Sequence, residues 1–210
     1  MHFLMVILFF GATRALLVPS PPGPYSVAVK HFELIDQNRT DPLAPEPDTK
    51  RRFMASAYLP IAAGHHCDPE VVPYLPPRTA TVFGQVGTEL GLPKGMLDNF
   101  EMEFCNMSTV KTDSSERRAF PIAVFSPGLG GSRLLYGALA RSLASLGHIV
   151  ITVDHTHETY VVEFPDGSVA NSTLDLGTIS GDNSTALLDL LKVRVDCNAT
   201  STNDVKETDE

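Results

Sequence analysis

Residues 125–135, FSPGLGGSRLL, contain the groups in this chain that are best suited to chemistry. An apolar run ends at Phe125, a loop with one proline and three glycines follows, and a leucine-rich segment then begins. Serine hydrolases with a strand-to-helix nucleophile turn use the pattern G-x-S-x-G, because small flanking residues leave room for the sharp turn. Neither Ser126 nor Ser132 has these flanks. We therefore predict that neither serine is a nucleophile.

The glycines of this loop also fail to match a nucleotide-binding pattern. Gly128-Leu129-Gly130-Gly131 is not G-x-G-x-x-G, and no Walker lysine follows it. Two interpretations remain. The loop is either a tight connection between two elements, or an oxyanion-hole loop whose backbone N–H groups point toward a reacting carbonyl. Spacing alone supports the two equally.

Two histidine clusters raise the question of a metal. The segment Asp154-His155-Thr156-His157-Glu158 follows a strand and includes an H-x-H element like that of zinc hydrolases. The remaining ligands of such a site are not recognisable, so a loop that lines the mouth of the site is favoured. His65-His66-Cys67 is weaker, because a disulfide would consume its cysteine. We predict no metal and no cofactor.

The elements around the loop follow from hydrophobic periodicity. Alternating runs at Tyr25–Ile35 and Phe53–Ile61 predict two antiparallel strands. Phe120–Phe125 predicts a short apolar strand, and the β-branched run His148–Val153 predicts a buried strand of the parallel type. A helix between the last two strands would complete a βαβ unit with a right-handed crossover. The predicted fold class is α/β, with antiparallel entry strands followed by this unit.

The helix of that unit has recognisable ends. Ser132 is the predicted N-cap, and Gly147 is the predicted residue just after the helix. An apolar stripe at helical spacing consists of Leu135, Leu139, Leu143 and Leu146.

The rest of the chain is less regular. Residues 62–112 are predicted to be loop-heavy, with short helices near Ala80–Leu90 and Lys94–Phe100. The segment EFPDGSV predicts a hairpin turn, and Ser184–Val193 predicts a last helix.

Composition limits the class of partner. The chain has 210 residues and a formal net charge of −9. Nucleic-acid binding needs clustered Lys and Arg, so a nucleic-acid partner is not expected.

Several features predict secretion. Residues 3–10 are all apolar and Arg14 ends that run, so residues 1–15 are predicted to be a signal peptide. The predicted N-glycosylation sites are Asn38, Asn106, Asn171, Asn183 and Asn198. Cysteines can oxidise in that compartment. We predict a Cys67–Cys105 disulfide, since both cysteines lie in the well-patterned part of the chain, and a free Cys197.

A family resemblance extends over about residues 20–195. The segment FSPGLGGSRLLYGALARSLASLGHIVITVDHTHETYVVEFPDGS is similar to secreted platelet-activating-factor acetylhydrolases of the fungal branch, which typically have F-S-H-G-L-G-G and a later V-D-H. Pro127 stands where that family usually has histidine. The opening segment, PPGPYSVAVKHFELIDQNRTDPLAPEPDTKRRFMASAYLPI, also resembles the entry strands of the family.

The resemblance implies an α/β-hydrolase fold and hydrolysis of short or oxidised sn-2 acyl esters of phospholipids. It assigns the Leu129 N–H, in the loop of Gly128, Gly130 and Gly131, to the oxyanion hole. It also implies phospholipid or short-chain ester substrates and peripheral contact with a lipid surface.

The family's triad segment, G-H-S-F-G-G, has no counterpart in these residues. We therefore expect a partial hydrolase domain at residues 20–196, ending before the nucleophile turn. A polar, disordered tail is predicted at residues 197–210. This chain by itself would then lack the catalytic serine. The alternative is a non-catalytic secreted glycoprotein that binds lipid or a protein partner.

Overall fold

A computed structural model describes residues 15–62, 65–111 and 119–174 of the chain. The predicted signal peptide, last helix and tail, together with Asn183, Cys197 and Asn198, lie entirely or almost entirely outside these residues. No helix in the described ranges is long and apolar enough to cross a membrane.

A long antiparallel hairpin opens the main sheet. It consists of β2, Ser26–Thr40, and β3, Lys50–Ile61. Ser26 lies opposite Ile61, and pairing continues through a register shift to Thr40 and Lys50. The two predicted entry strands are therefore confirmed, and both extend further at their polar ends.

The predicted βαβ unit is also present. It consists of β6, Ile122–Phe125, α2, Gly137–Ser145, and β7, Ile149–Val153. β6 is parallel to β7, and β7 is antiparallel to β3, which gives the strand order β2-β3-β7-β6. The carboxyl ends of the two parallel strands lie at the same edge of the sheet. The glycine loop leaves β6 at that edge.

Helix α2 begins later than the sequence suggested. Its N-cap is Tyr136, so the prediction that Ser132 caps the helix was wrong. Residues 133–136 form tight turns instead, in which Gly137 N–H donates to the Leu134 carbonyl at 2.9 Å. The Ser132 hydroxyl accepts from Leu134 N–H at 3.2 Å. It therefore stabilises the turn that precedes the helix.

The predicted leucine stripe is only partly confirmed, because Leu135 and Leu143 are half-buried against core clusters while the other two leucines are exposed. Leu139 is 60% exposed and Leu146 is 54% exposed. The helix instead buries Gly137, Ala140, Arg141, Ala144 and Ser145. Its alanines pack against Tyr58 and Val150 in the core, where small side chains allow the helix to lie close to the sheet.

Three short strands form a second sheet. They are β1, Leu16–Leu17, β4, Pro69–Pro73, and β5, Phe100–Cys105, in the order β1-β5-β4. The prediction that residues 62–112 are loop-heavy was therefore wrong for β4 and β5. β4 is only five residues long and has proline at both ends, which weakens a strand signal.

The two helices predicted in that region had different outcomes. The first is confirmed as α1, Pro77–Glu89. The second was wrong apart from one 3-10 turn at Met96–Asn99, after which the chain enters β5.

The Glu163 carboxylate accepts from the N–H and the hydroxyl of Thr79 at 2.7 and 2.8 Å, near the N-terminus of α1. This places a negative charge where the helix dipole favours one.

Glu163 belongs to the predicted hairpin, which is confirmed. Its strands are β8, Val161–Glu163, and β9, Val169–Asn171. Gly167 has a φ of 82° in the turn between them, a conformation that favours glycine.

The structure joins Cys67 to Cys105 by a disulfide, with a Cα–Cα distance of 5.6 Å. It links the residues just before β4 to the end of β5. We expect non-reducing peptide mapping to recover a Cys67–Cys105 peptide and Cys197 as a free thiol. Reduction should lower the free energy of unfolding by about 2–4 kcal/mol, mainly because the unfolded chain loses a constraint. A mapped bridge that contains Cys197 would contradict this assignment.

Candidate active site

The glycine loop turns sharply at the carboxyl edge of the main sheet. Gly131 N–H donates to the Gly128 carbonyl at 2.9 Å, which closes a β-turn with Leu129 and Gly130 at its centre. Gly130 has a φ of 78°, at the turn position where a type II turn favours glycine. A Cβ on Gly131 would lie 3.0 Å from the Gly128 oxygen, so this position also favours glycine.

Leu129 is the outward-facing residue of this turn. Its side chain is 40% exposed. Among the hydrogen bonds of the described residues, none is donated by the Leu129 N–H. The turn therefore leaves this backbone donor available to an oxygen of a bound ligand.

A buried ion pair fixes the end of the loop. Arg133 is 5% exposed and Asp154, directly after β7, is 1% exposed. The Asp154 carboxylate accepts from the Arg133 backbone N–H at 2.6 Å and also from its guanidinium. Arg133 Nε donates to the Ser56 hydroxyl on β3 at 2.9 Å. One arginine thus ties the loop to two strands of the main sheet.

His31 extends this network on β2. Its Nδ1 lies 2.7 Å from the Ser56 hydroxyl oxygen. His31 keeps an exposed part of its surface, but desolvation of the rest of the side chain, followed by the positive charge of Arg133, lowers the pKa of His31 from 6.5 to about 4. The unfolded chain therefore takes up a proton near pH 6.5 that the folded chain resists until about pH 4. The contribution of His31 to stability accordingly falls as the pH drops through this window.

Ser126 and His155 meet at the same edge. The Ser126 hydroxyl lies 2.6 Å from His155 Nε2. Ser126 is exposed and His155 is half-buried. This contact was not predicted from the sequence, in which His155 was interpreted as part of a loop that lines the site mouth or as a metal ligand. The available signal was positional, since both residues closely follow neighbouring parallel strands.

The other histidine of the H-x-H element has a different environment. His157 has a φ of 67°, and its Nδ1 lies 3.3 Å from the Asn171 carbonyl oxygen. Asp154 is occupied by Arg133. Within the described ranges, no group of three or more His, Cys, Asp or Glu side chains is placed to hold a metal ion.

Comparisons with known proteins bear directly on this site. Residues 85–201 match the family model for platelet-activating factor acetylhydrolase, isoform II. A probable 1-alkyl-2-acetylglycerophosphocholine esterase from Arthroderma benhamiae is 34% identical over 161 residues, which are 74% of this chain and 41% of the relative. The chain belongs to the platelet-activating-factor acetylhydrolase family. The resemblance to this family is thereby confirmed.

A solved structure supports the fold of this acetylhydrolase-family chain. A ferulic acid esterase from Streptomyces cinnamoneus superposes with a TM-score of 0.55 at 25% identity, over 86% of this chain and 48% of the esterase. Together with the mixed sheet and its βαβ unit, this confirms an α/β-hydrolase-like fold. The chain spans less than half the length of either protein.

Proposed function

We propose that the complete protein hydrolyses the sn-2 acetyl, short or oxidised acyl ester of phospholipids such as platelet-activating factor, in lipid catabolism. Family membership supports this substrate class. The observation that carries the proposal is the glycine turn, which leaves the Leu129 N–H without an acceptor among the described residues.

The reaction would be an acyl transfer to a serine, followed by hydrolysis of the acyl-enzyme. The serine oxygen attacks the ester carbonyl, and the carbonyl oxygen becomes an oxyanion. The Leu129 N–H donates to that oxyanion, which it stabilises more than the uncharged carbonyl. In this fold the second donor comes from the residue after the nucleophile.

Neither serine beside the loop fits the role of nucleophile. Ser132 is 1% exposed, and its oxygen accepts from Leu134 N–H. Ser126 lies at the end of a strand and is followed by Pro127, so it lacks the small flanks of a nucleophile turn. We propose that the nucleophile belongs to a G-H-S-F-G-G-type segment outside these residues, and that this chain alone is inactive.

The test is to sequence the transcript beyond codon 196 and to assay any longer product with an sn-2 acetyl phospholipid. A product that carries a G-H-S-F-G-G-type segment should hydrolyse it. Absence of this coding segment, or a longer product without hydrolysis, would refute the proposed activity.

In such a longer product, Leu129→Pro should reduce kcat by about 10²–10³-fold, the usual cost of removing one oxyanion donor. Proline is well tolerated at the second residue of a type II turn, so the change removes the N–H while keeping the turn. Leu129→Ala is the matched control, because it retains the backbone donor. Equal activity of the two variants would exclude Leu129 from the oxyanion hole.

We further propose that the chain is secreted and glycosylated. Asn38 and Asn171 are exposed, whereas Asn106 is half-buried and its side chain accepts from Ser108 N–H at 3.0 Å. Expression in a eukaryotic secretory host should give material that lacks residues 1–15 and loses mass on endoglycosidase treatment. Cell-retained product with an intact Met1 and no mass shift would refute this.

A further inference from the structure

We infer that Asp154 and His155, with the residues that follow them to Tyr160, are the positioning element of the glycine loop. This segment is called the clamp here and comprises residues 154–160. The inference deepens the proposed function, since it rests on the loop being an oxyanion loop.

Consecutive clamp residues hold the two ends of the loop. His155 Nε2 contacts the Ser126 hydroxyl at 2.6 Å, directly before the loop. Asp154 accepts from the Arg133 N–H at 2.6 Å, directly after the loop. Asp154 and His155 directly follow β7, so the main sheet fixes the positions of both residues. Through them it also fixes both ends of the loop.

The clamp also holds the middle of the loop. Tyr160 N–H donates to the Gly130 carbonyl at 3.2 Å, and the Thr159 hydroxyl donates to the Gly131 carbonyl at 3.1 Å. These two carbonyls are therefore directed toward the clamp. The Leu129 N–H has no such partner in the described part of the chain. A preorganised donor of this kind needs no reorganisation when an oxyanion forms.

A serine beside a histidine could also be a nucleophile with its base. The positioning role is favoured because this contact is one of several by which the same short segment holds the same loop. The two roles predict different outcomes, since a nucleophile reacts with a fluorophosphonate and a positioning serine does not.

The test is amide hydrogen exchange in the full 210-residue chain. The reporters are Gly131 and Tyr160, whose N–H groups are bonded at the loop, relative to Ala140, whose N–H is bonded in α2 at 2.8 Å. Ser126→Ala and His155→Ala each remove one hydrogen bond. Each variant should raise the exchange rate of the Gly131 and Tyr160 amides, relative to that of the Ala140 amide, about threefold to tenfold. The increase in relative exchange rate in the double variant should not exceed that in the more affected single variant, because both single variants remove the same contact.

His155→Gln should restore part of the protection, since its amide can still bond the serine. His66→Asn is the matched control, because it changes an exposed histidine that lies outside both the clamp and the loop. Unchanged ratios in the single variants, additive effects in the double variant, or fluorophosphonate labelling of Ser126 would each overturn the inference. Hydrolysis by a longer product tests the proposed function separately, so the two can fail independently.

Discussion

An Arg133→Met variant should lose about 3–5 kcal/mol of unfolding free energy, because it leaves Asp154 as a buried, unpaired carboxylate. Asp154 is 1% exposed, and its two oxygens accept from the Arg133 backbone and guanidinium. Methionine fills a similar volume, so the loss should come from the charge more than from a cavity. The variant also removes the positive charge near His31, so the pKa of His31 should rise from about 4 toward its ordinary value.

Denaturant unfolding with matched variants isolates this effect. Arg133→Met combined with Asp154→Asn removes both charges while an amide oxygen still accepts from the residue 133 N–H, so most of the lost stability should return. Arg78→Met is the control, since Arg78 is exposed on α1 and makes no ion pair within the described ranges. Its effect should stay within about 0.5 kcal/mol. A single Arg133→Met variant as stable as this control would show that the ion pair contributes little.

The sequence predicted the elements whose signal is local. The apolar run HIVITV, the glycine after α2 and the alternating entry strands can each be recognised without knowledge of their neighbours. β4 and β5 were missed because their stability depends on pairing with each other. Val71 is 49% exposed even within β4, so no burial pattern marks that strand.

The face of α2 was mispredicted for a related reason. The sequence favours burying Leu139 and Leu146, which are the larger apolar residues. The folded chain instead uses Ala140 and Ala144 against the sheet, because close approach needs small side chains. Arg141 is buried beside them and donates to the Glu103 carbonyl at 2.9 Å. The sequence does not indicate that this carbonyl lies within reach of Arg141, because the two residues are 38 positions apart.

At the candidate site, the sequence indicated the glycine turn at residues 128–131 but none of the contacts that hold it. The loop is recognisable because glycines at fixed spacing impose a turn. Ser126 and His155 are 29 positions apart, and Arg133 and Asp154 are 21 apart, so parallel strand pairing is what brings each pair together. The order of strands in the sheet was needed to predict these contacts.

The purified 210-residue chain should not react with a fluorophosphonate probe and should not turn over a short-chain ester. A hydrolase that lacks its nucleophile typically retains at most about 10³–10⁴-fold acceleration over water, from its oxyanion hole and substrate binding. Only one of the two oxyanion donors is assigned in this chain, so the residual rate should be lower still. The burial of Ser132 and the unsuitable flanks of Ser126 give neither serine the geometry of a nucleophile turn.

Intact-mass spectrometry after probe treatment measures this directly, with peptide mapping to locate any adduct. Ser126→Ala and Ser132→Ala are the matched variants, and a longer product with its own nucleophile segment is the positive control. The result at Ser126 tests the prediction more strictly than that at Ser132, because Ser126 is exposed and has the imidazole nitrogen of His155 2.6 Å away. Stoichiometric labelling at Ser126 that disappears in Ser126→Ala would mean that the histidine acts as a base. The chain would then carry a serine nucleophile of its own, and the assignment of the loop and of the clamp would both have to be abandoned.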